Sequence, residues 1–271
     1  NETNNAPVDS IPGYEVITNS HGLRDQGFQV EKPDDQFRIL VVGDSMTYGL
    51  GVNESNRFTE ILERNLNQSA KREVRVINAG RPGAGMKDYY ELVLNKGEEY
   101  EPDLVIVAFD EEDVMDRELQ DRYIRQEKKK REIPENVSIH SIEAAEDAVD
   151  SRIRRYRENL EWNSSNYRKY MAKLLAIDDL EEFDLYLYRI STTDNAEIVT
   201  NPVEDTEFNT VYEYWRTKCN ANIIPPPENL SLSPEFTYYP DPHFNNAGNQ
   251  VLGEWLFNQL EVVLEFSRVS N

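Results

Sequence analysis

The chain has 271 residues, of which 29 are Lys or Arg and 51 are Asp or Glu, giving a net charge of −22 with three His and one Cys. A field of that sign repels nucleic-acid phosphates and anionic membrane surfaces, which excludes polyanions as expected partners. Cys219 has no second cysteine to pair with, and His21, His140 and His243 are too scattered for a zinc site, so neither a disulfide scaffold nor a structural metal is expected.

Hydrophobic residues make up 38% of the chain and aromatics 10%, a globular composition. At this length roughly three quarters of the unfolded surface can be buried. The longest apolar runs, residues 39–42 and 104–109, fall far short of the roughly 18 residues of a membrane helix, so no membrane insertion is expected. The polar opening, residues 1–10 (NETNNAPVDS), starts without Met and reads as loop; the expectation is that an upstream secretion signal or anchor has been cut away.

After a lead-in over residues 1–36, residues 37–42 (FRILVV), closed by Gly43, predict a first strand. Phe58, Ile61, Leu62 and Leu66 then share one helical face, and residues 74–77 (VRVI), closed by Asn78, Ala79 and Gly80, predict a second strand. A third run, residues 104–109 (LVIVAF), stops at four consecutive acids. Residues 114–177 are dense in charge, with sparse apolar residues such as Leu119, Tyr123 and Ile124, and predict a helical insertion between strands 3 and 4. It is either a flap over the strand ends or a set of solvated helices, and its basic run 128–131 is a solvated face. Residues 183–190 (FDLYLYRI) and 221–224 (ANII) predict strands 4 and 5, and Val251, Leu252, Trp255, Leu256 and Val262 a last amphipathic helix. Runs that are apolar throughout, rather than alternating, are what a parallel sheet covered on both faces requires. The expected architecture is therefore a single domain over residues 1–271, a three-layer α/β/α, flavodoxin-like fold with a central, mostly parallel five-stranded sheet. Ligands of such sheets sit beyond the carboxyl ends of the strands.

The block Gly43-Asp44-Ser45-Met46-Thr47-Tyr48-Gly49 lies where such a ligand would be, between the first strand and the first helix. A serine there sits among exposed backbone N–H groups that favour developing negative charge, the place for an acyl-transfer nucleophile. The same seven residues fit equally a plain strand-to-helix turn. Thr47 breaks the Gly-x-Ser-x-Gly elbow, and neither a dinucleotide fingerprint nor a Gly-Lys-Ser/Thr phosphate loop is present, so no cofactor is expected. His243, in Tyr239-Pro240-Asp241-Pro242-His243, supplies a base, and Asp241 an acceptor for its second ring nitrogen.

With these blocks in place the chain resembles the SGNH hydrolase superfamily, the GDSL esterases and lipases. The matching stretches are Gly43-Asp44-Ser45 with Gly49, Asn78-Ala79-Gly80 with Gly83, Phe109 to Asp113, and Asp241, His243, Asn245 and Gly248, together with the lead-in Thr18-Asn19-Ser20-His21-Gly22-Leu23-Arg24-Asp25. The resemblance implies Ser45 as nucleophile, His243 as general base and acid, Asp241 as its orienting partner, and the N–H groups of Ser45 and Gly80 as oxyanion donors. It implies an ester of a small molecule or glycan as substrate, no cofactor or metal, and a bacterial extracytoplasmic setting, a cytoplasmic one being the alternative.

Where the family places an oxyanion asparagine, this chain has Glu112 in Phe109-Asp110-Glu111-Glu112-Asp113. An ionised carboxylate cannot donate and repels an oxyanion. Three outcomes follow: Glu112 is held neutral among its acidic neighbours, it turns away and two N–H donors suffice, or ordinary hydrolysis has been lost. Losing one oxyanion donor costs about 10²–10³ in rate, so the second outcome predicts a slow enzyme. Beside the esterase stand two rivals: a polysaccharide O-acetyltransferase or deacetylase using the same triad, and a non-catalytic glycan-binding protein.

Overall fold

The computed structural model describes residues 11–109, 169, 170, 172–174, 183–190, 222–227, 230, 235–238 and 243–266. Asp241, Glu112, Cys219, His140 and nearly all of the 114–177 insertion lie outside the described residues; residues 169, 170 and 172–174, at its end, are helical.

Five strands form one parallel sheet in the order β2-β1-β3-β4-β5. They are β1 (Gln36–Gly43), β2 (Glu73–Gly80), β3 (Leu104–Phe109), β4 (Asp184–Arg189) and β5 (Asn222–Ile224). The described helices are α1 (Ser45–Tyr48), α2 (Phe58–Ser69), α3 (Met86–Tyr100) and α4 (Asn246–Phe266).

The strands form because their residues have apolar partners above and below. Along β1, Ile39 and Val41 face a core shared with Phe58, Leu62 and Leu66 of α2 and Leu252, Leu256 and Leu260 of α4. Leu40 and Val42 point the other way, into a core shared with Met86, Tyr89, Val93 and Tyr100 of α3. Each fully buried side chain of this size contributes about 1.5–3 kcal/mol, so the alternation ties both helical layers to one strand. Of the residues that predicted the first and last helical faces, Phe58, Ile61, Leu62, Leu66, Leu252 and Leu256 are buried, and Val251 and Trp255 pack at the core edge.

No prediction covered α3. Its buried positions are helically spaced, but Lys96, Gly97, Glu98 and Glu99 interrupt the stripe before Tyr100. The chain order places β2 on one side of β1 and β3 on the other. The crevice where the order reverses opens at the carboxyl end of β1, where the chain continues into Asp44 and Ser45.

Candidate active site

β1 ends at Gly43, and Asp44 caps the short helix that follows: its Oδ1 accepts from Met46 N–H at 2.8 Å. The Ser45 hydroxyl then lies 3.2 Å from Asp44 Oδ2 and 2.8 Å from His243 Nε2. Residues nearly two hundred positions apart are thus in hydrogen-bond contact, as a nucleophile and its base require. Burial pushes the Asp44 carboxyl up, opposed by the Met46 N–H, the His243 charge and the Ser45 hydroxyl.

His243 is presented by a hairpin closed by an antiparallel bridge between Thr237 and Phe244. Asn245 locks that hairpin to the following helix. Its Oδ1 caps α4, accepting from Ala247 N–H at 2.9 Å and Gly248 N–H at 3.1 Å, and its Nδ2 donates to Glu235 O and Thr237 O. One turn on, Asn249 Oδ1 accepts the Phe58 N–H at 3.1 Å, capping α2 from a neighbouring helix.

Gly80 is at the end of β2, and its N–H donates to Asn78 Oδ1 at 2.9 Å. A Cβ on Gly80 would run into the backbone of Thr47 and Tyr48, so this glycine permits the close approach of β2 to α1. Along the loop that follows, Arg81 N–H donates to Gly43 O, Ala84 N–H to Arg81 O and Gly85 N–H to Asp88 Oδ2, while Pro82 has no N–H. Among the described residues the Gly83 N–H has no acceptor, and it sits on a turn with φ of 71°.

Behind the serine turn is a buried polar network that only partly followed from the sequence. Arg24 donates to Tyr48 O at 2.9 Å and to Gly49 O and Val52 O at 2.6 Å, covering the carbonyls at the end of α1. Asp25 accepts from Arg75 Nη2 at 2.8 Å, Arg57 Nη2 at 3.4 Å and Asn78 N–H at 3.1 Å. Asn78 in turn donates through Nδ2 to Thr47 O at 2.7 Å and Thr59 Oγ1 at 2.9 Å. Arg24, Asp25 and Asn78 belonged to blocks already singled out, whereas Arg57 and Arg75 did not. The available signal for Arg75 was an arginine inside a strand otherwise reading as covered on both faces.

Among the described residues no group of three or more His, Cys, Asp or Glu is placed to hold a metal ion. What the site offers is a serine hydroxyl on a histidine nitrogen at the switch point of a parallel sheet, the makings of acyl transfer through a serine. The chain belongs to the GDSL-like lipase/acylhydrolase family, whose model matches residues 39–256.

Solved structures agree in fold. The crystal structure of TesA is 17% identical with a TM-score of 0.58, over 83% of this chain and 99% of that one. The psychrotrophic esterase EstA of a Pseudoalteromonas species is 12% identical with a TM-score of 0.56, over 86% and 100%. An acetylxylan esterase of Geobacillus stearothermophilus is 13% identical with a TM-score of 0.51, over 83% and 94%. No curated protein matches the sequence.

Proposed function

We propose that the protein is a serine-dependent carboxylic ester hydrolase. Ser45 Oγ attacks the ester carbonyl as His243 Nε2 takes its proton. The tetrahedral intermediate collapses, the C–O bond to the alcohol breaks, and His243 returns the proton to the departing oxygen. Water then attacks the acyl-serine with the same histidine as base, releasing the acid and restoring Ser45. Asp241 is assigned to orient the imidazole. The observation that carries this reading is the 2.8 Å contact between Ser45 Oγ and His243 Nε2.

For the oxyanion the N–H groups of Ser45 and Gly80 are assigned; each also meets an internal acceptor, the Asp44 carboxylate and Asn78 Oδ1, with which an oxyanion shares it. With two backbone donors and Glu112 at the third position, the enzyme is expected to be slow, and Glu112→Asn to raise kcat by about 10²-fold.

The test is hydrolysis of short p-nitrophenyl esters and of acetylated xylan, with fluorophosphonate labelling in parallel. Wild type is expected to turn over and to label, and Ser45→Ala to do neither. Equal behaviour of the two proteins sinks the proposal. A sugar acceptor added to the same reaction separates hydrolysis from transfer, because a pure hydrolase releases only free acid.

A further inference from the structure

Ser45 and His243 are carried by elements far apart in the sequence, and one side chain spans them. On the base side, Tyr238 N–H donates to His243 O at 3.0 Å and Asn245 N–H to Phe236 O at 2.9 Å, so Tyr238 is fixed to the backbone of the base itself. From there its hydroxyl reaches the turn after α1 and donates to Gly51 O at 2.7 Å. Gly51 has φ of 87°, and a Cβ placed on it would lie 2.5 Å from Tyr238 Cε2, so the ring packs directly on the glycine.

The platform that Tyr238 grips is firm. Arg24 takes the carbonyls of Tyr48, Gly49 and Val52, leaving that of Gly51 to Tyr238. A residue bonded at one end to His243 and at the other to the turn that closes the serine helix is placed to govern the gap between the reacting atoms. Proton transfer is sensitive to that gap: a misplacement of about 1 Å costs up to about 10²-fold in rate.

We propose that Tyr238 is a positioning residue, bridging the base hairpin to the nucleophile turn and thereby setting the Ser45–His243 separation. This rests on the reading of Ser45 and His243 as nucleophile and base.

The experiment compares wild type, Ser45→Ala, Tyr238→Phe, Gly51→Ala and the Tyr238→Phe/Gly51→Ala double variant. Rate and end point of fluorophosphonate labelling and thermal melting are recorded. Tyr238→Phe keeps the ring packing and removes only the hydroxyl. It is expected to label to the wild-type end point at about a tenth of the rate, with kcat for a p-nitrophenyl ester reduced in step and KM nearly unchanged. General loosening of the fold would instead lower the fraction of chains that label. Gly51→Ala, which displaces the ring, meets Ile11 and strains a backbone at φ of 87°, is expected to slow labelling as well, and the double variant to lose less than the two single losses combined, since part of each acts on one contact. Wild-type labelling at Ser45 with an unaltered rate in Tyr238→Phe, a loss of end point in place of rate, or additive losses in the double variant each overturn the bridge alone. A wild type that labels no better than Ser45→Ala overturns the hydrolase reading and the bridge with it.

Discussion

Ser45 and His243 meet at 2.8 Å but are held there by different means. The serine follows β1, whose residues Ile39, Leu40, Val41 and Val42 are wholly buried, and its turn is backed by the ion pairs of Asp25 with Arg57 and Arg75. The histidine is carried by a short hairpin that enters the core through Phe244, with Phe236 packed beside it, and is otherwise held by main-chain hydrogen bonds, the Asn245 cap and Tyr238. A whole buried strand backs one side of the site, and a single buried ring with a set of hydrogen bonds backs the other. Substitutions near the serine should therefore lower stability and activity together, whereas substitutions in the hairpin should separate the two.

The largest expected effect is on the serine side. Asp25→Ala removes the acceptor shared by Arg57, Arg75 and the Asn78 N–H, leaving two buried guanidiniums with Glu60 and Glu63 alone as carboxylate partners and the Asn78 N–H without its acceptor. The expected loss is about 3–5 kcal/mol, lowering Tm by roughly 10 °C, with activity falling as the folded fraction falls. Asp25→Asn keeps an acceptor and is expected to lose less. A normal melt for Asp25→Ala would break the contrast at its stronger end.

On the base side Asn245→Ala deletes the α4 cap and the two donations to the hairpin, at an expected cost of about 1–2 kcal/mol. Its kcat is expected to fall further than that small destabilisation explains, because the hairpin that carries His243 loses its tie to the helix. Melting and steady-state rates on the same sample decide it. A kcat loss no larger than the change in folded fraction would make the two sides alike.

The same division governs what was legible in the sequence. β1 and β3 were readable because both faces are buried and residues 39–42 and 104–109 are apolar throughout; the one buried charge in β1, Arg38, donates to Val30 O and Tyr100 O. β2 runs past the predicted end at Ile77 as far as Gly80, since the polar side chain of Asn78 is satisfied inside the protein by Thr47 O and Thr59 Oγ1. Ser45 and His243 were legible as turn chemistry next to strand and helix signals. Their being within 2.8 Å was not, because that contact is made by tertiary packing of α4 on α2 and not by local pattern. Gly80 carries a packing constraint besides the role read from its sequence block: a Cβ there would run into the backbone of Thr47 and Tyr48, which no local pattern reveals.

A smaller effect sharpens the contrast through pH. Glu60, on α2, accepts from Arg57 at 3.0 Å and lines a cleft of about 590 Å³ with Glu54, Glu63, Arg64 and Asn67, none of them part of the Ser45–His243 contact. Burial, against the pull of Arg57 and with repulsion from Asp25 and Glu63, raises its carboxyl to about 7 from 4.5. The folded protein then holds a proton that the unfolded chain has released between those two values. Stability from this group is therefore full below pH ~4.5 and is lost as pH rises through ~7. Glu60→Gln should remove that dependence: relative to the variant, wild type is expected to lose about 1–3 kcal/mol between pH 5 and 8. Denaturant unfolding of both proteins at the two pH values measures it. Because Glu60 belongs to the network behind the serine and not to the hairpin, Glu60→Gln is expected to leave the pH profile of kcat/KM where it was. A shift of that profile by Glu60→Gln would mean that the network reaches the base as well as the nucleophile, and that the two sides of the site are not independently held.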